Sequence, residues 1–170
     1  MTGAFGAWSP DRPNTLIIAC SDGRLQEATD AFLADHLQVT RYDRFYVPGG
    51  GGALAASGRD FLRAQQLRRE CRYLVELHAI RHIVLLFHGP TTDGPLAAAC
   101  ADYRRKLPWA TVAELRGRQE QDAEELDRTR EDWAGAAAVA MYRCEVDSHG
   151  VIRFADLVAY ARSRLQSNAG

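Results

Sequence analysis

Two apolar runs punctuate the chain, Leu16-Ile17-Ile18-Ala19 and Ile83-Val84-Leu85-Leu86-Phe87, each set between polar residues. Unbroken runs of this length read as strands buried on both faces. They predict strands at about 15–20 and 82–87. The aromatic, alternating YDRFYV at 42–47 predicts another. Between them the apolar spacing turns helical. Leu25, Ala28, Phe32, Leu33 and Leu37 predict a helix over 25–37, and Leu67, Cys71, Leu74, Val75 and His78 a long one over 60–78. Pro95 suits the first position of a third helix, with Leu96, Ala99, Cys100 and Tyr103 on one face, which assigns Cys100 to packing. ATVAEL at 110–115 reads as a weak fourth strand. The charged run 118–134, with Glu124 four residues before Arg128, reads as a solvated or interface helix. Residues 137–146 and 151–154 flank Asp147-Ser148-His149-Gly150 as a hairpin, and a closing helix follows over 155–165. Strands alternating with helices define an α/β class: a mostly parallel central sheet of about four parallel strands plus an antiparallel C-terminal strand, flanked by helices. Residues 1–13 form an N-terminal arm, with Phe5 and Trp8 as apolar anchors before Pro10 and Pro13. Residues 14–170 form a single domain.

Bulk properties narrow the function. A chain of 170 residues with 46% hydrophobic and 25% charged residues suits one soluble domain with a real core. The net charge of −1 argues against nucleic acid as a partner. No apolar run approaches the roughly 20 residues that span a bilayer, so no membrane role is expected. The start of the chain lacks the basic and apolar regions of a secretory signal. Four scattered cysteines without a CxxC pair suit reduced thiols and a cytoplasmic location.

The chemistry concentrates at two strand ends. Cys20, Ser21, Asp22, Gly23 and Arg24 follow the first run; His88, with Thr91 and Asp93, follows the second. Neighbouring parallel strands end on one edge, where α/β sheets bind ligands. Thiolate, imidazole and carboxylate together are a plausible zinc set. Arg24 would keep Asp22 ionised and aimed, either at water or at the metal as a ligand. Gly49 to Gly52 follow the second strand. They read either as a nest of amides for an anion or as a tight turn for close packing. Phosphatase and rhodanese loops fail on spacing, since only three residues separate Cys20 from Arg24. A papain-like Cys20–His88 pair lacks a helix N-terminus at the thiol.

These residues resemble the β-class carbonic anhydrases. That family carries Cys-x-Asp-x-Arg after its first strand, matched by Cys20-Ser21-Asp22-Gly23-Arg24. A glycine-rich loop follows its second strand, as VPGGGG does here. An apolar strand ending in Gly-His-Ser-x-Cys-Gly is similar to ELHAIRHIVLLFHGPTTDG, with His88 on the histidine, and the closing hairpin is similar to MYRCEVDSHGVIRF. The resemblance runs from about residue 14 to 155.

It implies a β-carbonic-anhydrase-like fold, zinc on Cys20 and His88, and Asp22 and Arg24 as catalytic residues. It also implies a small-molecule substrate and a homodimer or higher homo-oligomer. The arm and the 60–78 helix are the candidate contact surfaces. Two departures stand against the pattern. The family's second zinc cysteine falls on Thr91, a poor ligand, and its Arg-Asn-Ala-Gly falls on Pro48-Gly49-Gly50-Gly51. The expected third ligand is therefore Asp22 or Asp93, with Gly49, Gly50, Gly51 and Thr91 as the anion or substrate loop. One expected function is a zinc-dependent lyase of the carbonate dehydratase type, hydrating carbon dioxide or a related small electrophile through zinc-bound hydroxide. The alternative is a non-catalytic homologue, an oligomeric small-anion or ligand-binding protein without zinc.

Overall fold

The computed structural model describes residues 6–56 and 60–158, together with Gly3. Five strands form one sheet in the order β2-β1-β3-β4-β5. They are β1 (Thr15–Ala19), β2 (Asp43–Tyr46), β3 (His82–Pro90), β4 (Ala138–Val146) and β5 (Ile152–Asp156). The first four run parallel, and β5 pairs antiparallel with β4. The expected sheet is therefore present, but its fourth parallel strand is 138–146, not 110–115.

Side-chain alternation along the buried strands splits the core into two layers. Leu16, Ile18, Ile83, Leu85 and Phe87 face a large apolar layer that includes Leu54, Cys71, Leu126 and Trp133. Ile17, Ala19, Val84 and Leu86 face the other side, against Leu33 with Phe32, Tyr142 and Phe154 around it. Helices cover the sheet: α1 (Gln26–Ala31), α2 (Phe61–Leu77), α3 (Ala101–Lys106), α4 (Val112–Arg128) and α5 (Arg130–Ala134). Among the described residues, no helix is long and apolar enough to cross a membrane.

Several expected elements change form. ATVAEL is the start of α4, because Thr111 and Glu114 make a reciprocal cap. The Thr111 hydroxyl accepts from the Glu114 amide at 3.3 Å, and the Glu114 carboxylate accepts from the Thr111 amide at 2.7 Å. Two first-turn donors are thereby satisfied, which a strand would not achieve. The charged 118–134 run splits at Thr129 and is only outwardly solvated. Leu115, Gln119, Asp122, Ala123 and Leu126 are buried in α4, and Trp133 in α5.

The helix expected from Pro95 does not form as one piece. A single turn at Leu96–Ala98 gives way to extended backbone at Ala99 and Cys100, and α3 begins at Ala101. The 25–37 helix keeps its place as α1 followed by a wider π-turn over Phe32–His36. Ala155 and Asp156 belong to β5, and the remainder of the expected closing helix from 159 onward lies outside the described residues, as does Phe5. Trp8 is 87% exposed.

Candidate metal centre

Parallel pairing of β1 with β3 brings their carboxyl ends to one edge. Cys20 leaves the end of β1, and His88 sits near the end of β3, opposite Cys144 of β4. His88 is buried, and neither ring nitrogen has a hydrogen-bond partner. Two unpaired nitrogens on a buried imidazole are costly unless something else engages them.

What faces them is a pair of thiols. One ligand atom each from Cys20, His88 and Cys100 lies within 4.8 Å of the others, and this is the one such trio among the described residues. A tetrahedral zinc with Zn–S of about 2.3 Å and Zn–N of about 2.0 Å holds its donors about 3.5–3.8 Å apart. The trio would thus need to contract by no more than about 1.3 Å. Two thiolates and an imidazole are a donor set that suits zinc. On geometry and on the orphaned nitrogens, these residues fit the metal.

Cys100 reaches the cluster because the chain is extended at Ala99 and Cys100 before α3 turns. A continuous helix from Pro95 would have left the residue as plain core. The nearby Cys100 thiol, the His88 imidazole and the Gly49 amide together hold the Cys20 thiol below the usual thiol range, against the opposing effect of burial. The Cys100 thiol is pushed up by that same contact and by burial. Cys71 and Cys144, which are not members of the trio, are each raised to about 12, chiefly by burial.

Asp22 lies beside this set. Its carboxylate accepts two close bonds from Arg24, from Nε at 2.9 Å and from Nη2 at 2.6 Å, and these hold its pKa down to about 2. Asp22 Oδ2 is 4.0 Å from His88 Nε2. Arg24 also donates from Nη1 to the Ala97 carbonyl at 3.1 Å, which ties the carboxylate to the segment that carries Cys100. A cavity of about 90 Å³ opens at Cys20, Asp22 and His88, walled by Leu86, Phe87 and Cys144.

Cys20, Asp22, Arg24 and His88 lie together at this sheet edge. Asp93 and Thr91 do not join them. The exposed Asp93 accepts from Thr91 Oγ1 at 2.7 Å and from Ser148 Oγ at 3.0 Å, pinning the turn after β3 to the β4–β5 hairpin. The donor that does join is Cys100, which helical spacing had assigned to packing. Its sequence signal is slight: a thiol twelve residues beyond His88, just ahead of a short helix.

The glycine loop packs closely against its neighbours. Gly50 has φ +55°, and a Cβ there would collide with the Leu86 carbonyl oxygen and the Cys20 amide. Gly49 takes φ +98°, and its amide helps to hold the Cys20 thiol down.

Fold and site together define an α/β protein whose sheet edge carries a Cys2His donor set beside an Asp–Arg pair. Solved structures similar to it include a carbonic anhydrase from Glaciozyma antarctica, 18% identical, covering 87% of this chain and 85% of that one with a TM-score of 0.47. The β-carbonic anhydrase CafA of Aspergillus fumigatus is 16% identical, covering 92% and 83% with a TM-score of 0.44. The β-carbonic anhydrase isoform I of Trichomonas vaginalis is 12% identical, covering 86% and 83% with a TM-score of 0.36. No protein-family model matches the chain, and no curated protein gives a significant match.

Proposed function

We propose that the chain is a zinc-dependent hydratase of the β-carbonic-anhydrase type, acting on carbon dioxide or a related small electrophile. Cys20, His88 and Cys100 hold the metal, and Asp22, aimed by Arg24, serves the attacking water. The observation that carries the reading is the convergence of two thiol sulfurs on a buried imidazole whose nitrogens have no hydrogen-bond partner. Zinc, when bound, supplies the Lewis acidity that makes water nucleophilic near neutral pH.

The chain's own residues do the rest. Two thiolates offset the charge of the dication, which suits a site buried beside an apolar layer. A carboxylate held near pKa 2 stays ionised across the working pH range, so Asp22 accepts a hydrogen bond from water and leaves its lone pair directed at substrate. Leu86 and Phe87 give the cavity an apolar wall that excludes bulk water from a small neutral substrate. The chain acts as a cytoplasmic homodimer or higher homo-oligomer. Leu62, Tyr73 and Leu77 on the outer face of α2 are 79%, 60% and 52% exposed and offer apolar contact.

Elemental analysis and stopped-flow carbon dioxide hydration test this reading. Purified protein is expected to carry about one zinc per chain and to hydrate carbon dioxide, with Asp22→Ala keeping the zinc and losing the rate. Protein that stays folded and metal-free after soaking in zinc refutes it. That outcome would favour the alternative, an oligomeric small-anion or ligand-binding protein without zinc.

A further inference from the structure

We propose that Cys20 and Cys100 are a dithiol that a peroxide closes to a disulfide, expelling the metal. This rests on the zinc reading of the same cluster and extends it to regulation of the site. The two sulfurs lie within 4.8 Å of each other. A disulfide joins its sulfurs at about 2.05 Å, so they need approach by no more than about 2.8 Å.

Both residues sit just outside regular structure, where such movement is cheap. Cys20 follows the last residue of β1, and Cys100, itself extended, caps the six-residue α3. Their surroundings differ. Cys20 is half-buried and lines the cavity, while Cys100 is 1% exposed. An oxidant from solvent therefore meets Cys20 first, and Cys100 waits behind it as the resolving thiol. Cys144 also lines the cavity but stands outside the trio.

The chemistry balances with hydrogen peroxide as oxidant. The Cys20 thiolate attacks one peroxide oxygen, the O–O bond breaks, and hydroxide leaves, to be protonated to water. Cys20 is now a sulfenic acid. The Cys100 sulfur attacks the Cys20 sulfur, and the hydroxyl leaves as a second water. Sulfur has lost two electrons and peroxide has gained them. From the zinc-bound pair, one peroxide and two protons give one disulfide, one free zinc ion and two waters. His88 alone then remains of the three donors, too few to retain the ion.

The test titrates zinc-loaded full-length protein with hydrogen peroxide. A chromophoric chelator follows zinc release, and non-reducing intact mass and peptide mapping follow the thiols. The expected result is one zinc released per chain with a loss of about 2 Da, a Cys20–Cys100 link, and reversal by dithiothreitol. Cys144→Ala is expected to form the same link, and Cys100→Ala to gain oxygen on Cys20 instead. Sulfinic acid on Cys20 with Cys100 free, a link through Cys144, or zinc release with all four thiols intact overturns the proposal. Protein that never takes up zinc refutes the proposed function, while mapping of the disulfide in that same protein still decides this one.

Discussion

Replacing Cys100 by Ala separates a sulfur donor from a carboxylate donor at the third position. Structural zinc sites bind with about 10–16 kcal/mol over four donors, so one donor accounts for about 2.5–4 kcal/mol. At about 1.4 kcal/mol per decade, Cys100→Ala should weaken zinc roughly 60- to 700-fold. The folding cost is separate and smaller. The side chain is 1% exposed, and removing one sulfur from a packed layer costs about 1 kcal/mol in the metal-free protein. In excess zinc the gap widens, because a hundredfold weaker site forfeits up to about 2.7 kcal/mol of linked stability. Chelator competition gives the affinity, and thermal unfolding with and without zinc separates the two contributions. Asp93→Asn is the companion variant. Its carboxylate is exposed and engaged by Thr91 and Ser148, so zinc affinity should not move. Cys100→Ala binding zinc within roughly threefold of the parent, or an equal loss in Asp93→Asn, would refute the donor set.

Gly50→Ala should lower the urea midpoint. Its φ of +55° costs an L-residue about 1–2 kcal/mol, and the new Cβ overlaps the Leu86 carbonyl and the Cys20 amide, so zinc affinity should fall with stability. Thr111→Ala should cost about 1 kcal/mol in the same assay by removing the α4 cap, with zinc affinity unchanged. Arg24→Gln should let the Asp22 carboxyl rise from about 2 toward its ordinary 3.8, read by NMR titration. A pKa depressed in the fold adds stability that is complete above the unfolded value and disappears as pH falls from 3.8 to about 2, so the variant should lose less stability over that window than the parent.

Much of the sheet was legible because buried parallel strands advertise themselves. LIIA and IVLLF are apolar on both faces since helices cover both sides, and no solvent-facing position interrupts them. The Cys20-to-Arg24 segment and His88 were legible for a related reason: strand direction alone puts them on one edge. Residues 110–115 misled because six residues with scattered apolar positions fit either period, and the Thr111–Glu114 cap outranks that pattern. Cys100 was hidden more deeply. Helical spacing after Pro95 places it on an apolar stripe, and only the extended backbone at Ala99 and Cys100 brings its sulfur to Cys20 and His88. The glycine loop left two readings open because both need the same backbone freedom; the overlap a Cβ at Gly50 would suffer supplies the packing reason.

The polar inner face of α4 explains how an unbonded imidazole is held still. His88 makes no side-chain hydrogen bond, so its ring cannot be fixed by the usual partner on the second nitrogen. The backbone beneath it is fixed instead. Gln119, only 3% exposed, donates to the His88 carbonyl at 2.8 Å, and Arg116 donates to the Pro90 carbonyl at 2.8 Å. Arg68 of α2 then joins the Leu54 carbonyl, just past the glycine loop, to Glu125 of α4, at 2.7 Å to each. Gln119, which reads in sequence as part of a solvated charged run, is thus an anchor for the end of β3. Such an anchor fixes where the imidazole stands while leaving both ring nitrogens available, which is what a metal ligand requires and a core histidine does not.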